Sequence, residues 1–254
     1  VPTPVATPVS VAPVPVVTTV AIATPSVDAR YAMRTDAIID TRADTLARRD
    51  TVRTRSGLRV TPRGSAFDIL LDSHVVMRRG VAPLPLVRGA RALARRITGS
   101  AFEFVGAGME HPCASPARAA FEATRELWVT WPSSLRVDAR WTDSTTTAVC
   151  RDGVPLSLST LRQYRVERLL SDTLLIVRRE AFLHVEGSGL LRGDSTRITG
   201  DGTSDALLYL RPTTGWIDSA HVSGVLRLTV RGTVRTQQVE QRTLSHIHRA
   251  PNIP

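Results

Sequence analysis

Residues 173–186 read TLLIVRREAFLHVE, and the order of side chains in this stretch decides the fold class. Leu175, Val177, Ala181, Leu183 and Val185 recur with a period of two, which places them on one face of an extended strand and leaves Arg178, Glu180, His184 and Glu186 on the other. Residues 216–230, WIDSAHVSGVLRLTV, repeat the pattern with Trp216, Ala220, Val222, Leu226, Leu228 and Val230. A sheet with one buried and one wet face requires this alternation.

Working outward, the same pattern predicts strands over Trp141–Cys150, Pro155–Leu169, Thr173–Glu186, Asp194–Leu210, Trp216–Val230 and Thr233–His248. Turn residues separate them: Arg151-Asp152-Gly153, Gly187-Ser188-Gly189 and Pro212-Thr213-Thr214-Gly215. Towards the N-terminus, Arg30–Asp40, Thr51–Pro62 and Ser65–Met77 read as a meander turning at Arg63-Gly64. The expected fold is mainly β: a large, curved, half-barrel-like antiparallel sheet with one or two short helices and an extended N-terminal arm. Its expected organisation is an arm over 1–28 and one domain over 29–250, with meanders at 29–110 and 128–248.

Two segments depart from the strand pattern. Residues 78–99 contain Arg78, Arg79, Arg88, Arg91, Arg95 and Arg96 with no acid. After Pro85, Arg88, Arg91 and Arg95 share a helical face opposite Ala90, Leu93, Ala94 and Ile97, so a short basic helix is expected, either contacting an anionic surface or serving as a connector. Gly89 weakens it. A second helix is expected over Ser115–Glu126, capped by Ser115, with Pro116 at its first position and Phe121 and Leu127 towards the core.

Residues 1–25 carry no charge and have proline at 2, 4, 8, 13, 15 and 25. Such a segment is extended rather than helical. Its valine content makes it a poor solvated linker, and Pro4, Val5, Pro8, Val11, Pro13, Val14, Pro15 and Val16 are the expected contacts for a docking partner. A spacer, or an arm packed on its own domain, are the alternatives.

The chain has 254 residues, is 42% hydrophobic and carries a formal charge of +10. That is enough apolar material for a sizeable core, with Trp128, Trp131, Trp141 and Trp216 as its few large fillers. The positive balance favours anionic lipid, acidic protein or nucleic acid as partners; without a recognition helix, zinc module or exposed aromatic platform, nucleic acid is set aside. All 33 basic residues are Arg. Schiff-base, phosphate-loop and Ser–Lys chemistries are therefore excluded.

Cys113 and Cys150 stand outside any C-x-x-C pair and away from a run of His. A disulfide is the favoured reading, two reduced buried thiols the alternative. No stretch approaches the roughly 20 apolar residues of a membrane-crossing helix. With the disulfide and a first residue that is not Met, this suggests a processed, extracytoplasmic protein peripheral to a membrane.

The strings Leu127-Trp128-Val129, Leu135-Arg136-Val137, Trp141-Thr142-Asp143-Ser144-Thr145, Cys150, Val185-Glu186-Gly187-Ser188-Gly189 and Leu208-Tyr209-Leu210-Arg211-Pro212-Thr213-Thr214-Gly215 resemble uncharacterised β-rich bacterial envelope proteins. The resemblance covers roughly residues 128–248 and implies a shape similar to the half-barrel of lipoprotein carriers. It brings no catalytic residue with it.

Searches for chemistry return little. Gly202-Thr203-Ser204 and Gly193-Asp194-Ser195 lack the second glycine of a nucleophile elbow, and the glycine pairs at 106/108 and 187/189 open no helix. His246 and His248 share a strand face and could in principle hold a metal, while His184 and His221 fall on wet faces near carboxylates. No cofactor, metal or catalytic residue is assigned. The expected role is a non-catalytic accessory subunit, held by its arm to an export, respiratory or photosynthetic membrane assembly. A carrier of a lipid or other hydrophobic ligand in the curved sheet is the alternative; a hydrolase would need His and carboxylate together in a pocket.

Overall fold

A computed structural model describes residues 18–44, 46–82, 86–96, 102–106, 111–113, 115–170, 173–191 and 193–251. The elements are β1 (Thr19–Ala21), β2 (Ala29–Ala43), β3 (Leu46–Arg63), β4 (Ala66–Arg78), β5 (Ala90–Arg96), β6 (Phe102–Val105), α1 (Pro116–Ala123), a 3-10 turn (Thr124–Leu127), β7 (Ser134–Arg136), β8 (Arg140–Arg151), β9 (Val154–Leu170), β10 (Leu174–Leu191), β11 (Asp194–Arg211), β12 (Trp216–Arg231) and β13 (Thr236–Ala250). Eleven strands form one antiparallel sheet in the order β6-β5-β4-β3-β2-β13-β12-β11-β10-β9-β8. The two meanders are joined through β13 and β2, and the sheet curls into a nearly closed barrel.

Period-two patterning explains the faces. Leu175, Val177 and Val185 of β10, Ala206, Leu208 and Leu210 of β11, and Ala220, Val222 and Leu228 of β12 are buried on the concave side. At one end, rings from distant strands meet: Phe67 packs 5.2 Å from Trp128 and 5.5 Å from Trp216, and Tyr31 lies edge-on to Trp216 at 6.2 Å. A second apolar cluster, including Val154, Ile198 and Leu228, fills the other end.

The convex side is a lattice of cross-strand ion pairs, including Arg49–Asp40, Arg53–Asp36–Arg34 and Arg227–Glu240–Arg242. Ile38, Leu161, Phe182 and Leu244 sit exposed among these charges. The described convex face therefore has no continuous apolar band of the kind that a lipid-facing barrel wall carries.

The helical segment bridges the two sheet edges. Ser115 caps α1, accepting from the Arg118 amide at 3.4 Å, and Phe121 is fully buried. Arg118 donates to the Ala148 carbonyl of edge strand β8 at 3.2 Å; Arg125 donates to the Phe102 carbonyl of edge strand β6 at 2.9 Å. The Cys113–Cys150 disulfide also ties the segment before α1 to β8. Both exposed edges, each a liability for pairing with another chain, thus receive polar partners.

Three local expectations are corrected. The basic helix expected after Pro85 is instead strand β5, whose Ala92 and Ala94 are buried and whose Arg91 and Arg95 are exposed, because edge pairing with β4 outweighs weak helix propensity. Gly187-Ser188-Gly189 is not a turn: β10 continues to Leu191, and Gly187 approaches β9 so closely that a Cβ would strike the Pro155 carbonyl. The second helix stops at Ala123 and tightens into the 3-10 turn.

The arm contacts named above, Pro4 to Val16, lie outside the described residues. Its last part packs on the domain itself: β1 pairs with β7, Ala23 donates to the Pro212 carbonyl at 2.8 Å, and Trp216 Nε1 donates to the Val27 carbonyl at 3.0 Å. Gly215, at φ 68°, permits the close approach of Ala23.

Candidate functional site

Polar groups gather in three places. The first is inside the barrel, where Arg179 shares the face of Val177 and Ala181 and is 1% exposed. It pairs with Glu126 of the 3-10 turn and donates to Ser204 at 3.0 Å. Burial lowers its pKa to about 10, against the opposing charge of Asp205. Nearby, Asp143 accepts from buried Arg162 at 3.1 Å and from the Tyr164 hydroxyl at 3.0 Å, and Trp141 stacks on Tyr164 at 4.9 Å. The ion pair and the Asp143 hydrogen bonds anchor the helical segment and the β8–β9 hairpin to the wall, while Arg179 Nε and Trp141 Nε1 stay buried without a hydrogen-bond acceptor among the described residues.

The second is on the convex face. His184 Nδ1 lies 2.8 Å from Asp201, and that hydrogen bond raises the imidazole pKa. Ser159 is the cross-strand partner of His184 on the other side, so a Ser-His-Asp row spans β9, β10 and β11. Asp201 is 81% exposed and His184 is 55% exposed on an open surface. This row lacks the pocket that catalysis at a positioned carbonyl needs. His246 pairs not with His248 but with His221 across β12–β13, Nδ1 to Nδ1 at 2.9 Å. Sequence spacing along one strand could not reveal this, because the pairing depends on the register.

The third is a cleft of about 670 Å³ at the β3–β6 end, lined by Asp28, Arg59, Arg63, Asp68, Arg91 and Phe121 among others. Cross-strand register places Arg30, Arg59, Leu70 and Arg91 in one row over β2, β3, β4 and β5. Arg63 is engaged by Asp68 and Arg95 by Glu103. Among the described residues no carboxylate pairs with Arg30, Arg59 or Arg91, and the Arg59 Nε is buried without an acceptor. Of the six arginines expected to meet an anionic surface, Arg91 lines this cleft; Arg78 ends β4, Arg79 and Arg88 lie in connections, and Arg95 and Arg96 end β5. Arg59 was missed by sequence reading because it lies on another strand, thirty-two positions away.

No family model and no curated protein matches the chain. Among solved structures it is similar to Pseudomonas aeruginosa OccK2 (OpdF), at a TM-score of 0.31 and 8% identity, covering 89% of this chain and 99% of that one. It is also similar to a mutant of the Rh. blastica porin, at 0.28 and 9% over 87% and 99%, and to P. aeruginosa OccK5 (OpdH), at 0.28 and 7% over 89% and 99%. These are porin-type barrels, neither extrinsic subunits nor ligand carriers. The expectations of an arm-docked accessory subunit and of a hydrophobic-ligand carrier are therefore withdrawn, together with a place peripheral to a membrane. The lipoprotein-carrier half-barrel is only loosely compatible with eleven strands rolled this far. At these TM-scores the likeness transfers no channel activity to this chain. The interior adds its own reason against a carrier: aromatic rings and α1 occupy the concave end where a ligand would lie.

Proposed function

We propose that this chain is a non-catalytic binding protein for a small organic anion, held in the arginine cleft at the β3–β6 end. The observation that carries the reading is the pair of cleft arginines Arg59 and Arg91, continued by Arg30 on β2, with which no carboxylate pairs among the described residues. The Arg59 side chain is half-buried, so an anion paired with its guanidinium is less screened by water than one at an exposed arginine. The cleft also presents Leu70, Leu93 and Phe121, which suits a carboxylate or phosphate attached to a compact apolar body.

Calorimetric titration of the full chain with succinate and with inorganic phosphate tests the reading. Saturable binding is expected, weakened about tenfold or more by Arg59→Gln or Arg91→Gln and unchanged by Arg48→Gln on the far ion-pair lattice. Absence of saturable binding for both anions, or equal loss in the Arg48→Gln control, would contradict it.

A further inference from the structure

We propose that His221 and His246 form a two-nitrogen chelate for a divalent transition metal of square-planar preference, with Cu2+ the best fit. The two residues are direct cross-strand partners on the convex face, and their Nδ1 atoms face each other at 2.9 Å. Without a metal, one Nδ1 must carry a proton and the other must present its lone pair. A metal ion takes the place of that proton, which solvent carries to Nε2 of the same ring so that both imidazoles stay neutral, and a small turn of each ring aims both Nδ1 lone pairs at the ion.

The spacing selects the geometry. Donors about 2.0 Å from an ion stand about 2.9 Å apart when they are cis in a square plane and about 3.3 Å apart in a tetrahedron. The hydrogen-bonded separation of 2.9 Å lies nearer the square-planar spacing, which Cu2+ and Ni2+ favour and Zn2+ does not, so the smaller ring movement leads to that geometry. Rigid strands hold the donors: the imidazoles are nearly perpendicular, with centroids 4.9 Å apart, and the Tyr209 ring lies edge-on to His221 at 6.1 Å. His221 is exposed, so the remaining metal positions are open to water. The cationic neighbour is Arg34, the β2 partner of His246, whose guanidinium is drawn to Asp36 at 2.9 Å. This site is independent of the arginine cleft.

The test is titration of the full chain with CuCl2, followed by electron paramagnetic resonance and calorimetry. One equivalent should bind with a tetragonal spectrum showing coupling to two imidazole nitrogens. His221→Gln and His246→Gln should each weaken binding about tenfold or more, while His248→Gln and His184→Gln leave it unchanged and Arg34→Gln tightens it. Circular dichroism of each variant verifies the fold. Unaltered Cu2+ affinity in the His221→Gln/His246→Gln double variant would overturn the site, and Zn2+ bound more tightly than Cu2+ would overturn its square-planar assignment.

Discussion

Arg125 donates a hydrogen bond to the Phe102 carbonyl across 2.9 Å, and through it a short helical segment closes one open edge of an eleven-stranded sheet. The same guanidinium pairs with Glu122 at 2.7 Å and lies 5.0 Å over the Phe104 ring. Burial lowers its pKa while the Glu122 charge holds it up. Replacing Arg125 with Ala leaves a largely buried carboxylate alone, and a loss of about 3–5 kcal/mol is expected in urea unfolding. A change within the error of the measurement would show that the edge contact is incidental.

The Cys113–Cys150 disulfide spans 37 residues. Chain entropy alone assigns such a loop about 4 kcal/mol. The Cys113→Ser/Cys150→Ser variant should melt at a lower temperature, and its β8 amides should lose hydrogen-exchange protection before those of β11. Uniform loss across both strands would show that the link does not act locally.

For His184, the Asp201 hydrogen bond holds the imidazole pKa above its ordinary value of 6.5. The charged form is thus favoured by folding. Its contribution is fully present below 6.5 and fades as the pH rises through the folded value. NMR titration should find His184 deprotonating above 6.5, and Asp201→Asn should bring it back. A His184 midpoint unaffected by that substitution would remove the pair from the account.

On the concave face Gly200 of β11 lies against the Arg227 carbonyl, and a Cβ there would clash with it and approach Leu228 Cδ2 at 2.8 Å. Gly200→Ala should destabilise by about 1–3 kcal/mol in chemical denaturation. Gly80→Ala, where a Cβ meets nothing but φ is 73°, separates turn strain from overpacking.

The C-terminal strands were legible because Thr173–Glu186 and Trp216–Val230 alternate over most of their length; β12 ends within a residue of expectation, whereas β10 runs on to Leu191 because Gly187 and Gly189 continue the strand instead of turning it. Asp152 at φ 50° and Gly153 at φ 88° form the tight turn that their sequence announces. Residues 90–96 were not legible: their apolar positions suit a helix as well as a strand, and the pairing with β4 that decides between them is not a local property. The arginine row and the histidine pair were hidden for the same reason. Arg59 and Arg91 fall in one row on either side of Leu70, and His221 meets His246, through register between strands, which one-dimensional spacing does not contain.

The most direct measurement is the 15N–1H resonance of the Arg59 Nε as succinate is titrated into the full chain. A saturable shift is expected at Arg59 and at Arg91, with the Nε of Arg48 unmoved. An Arg59 Nε that stays in place while exposed arginines shift together and without saturation would contradict it.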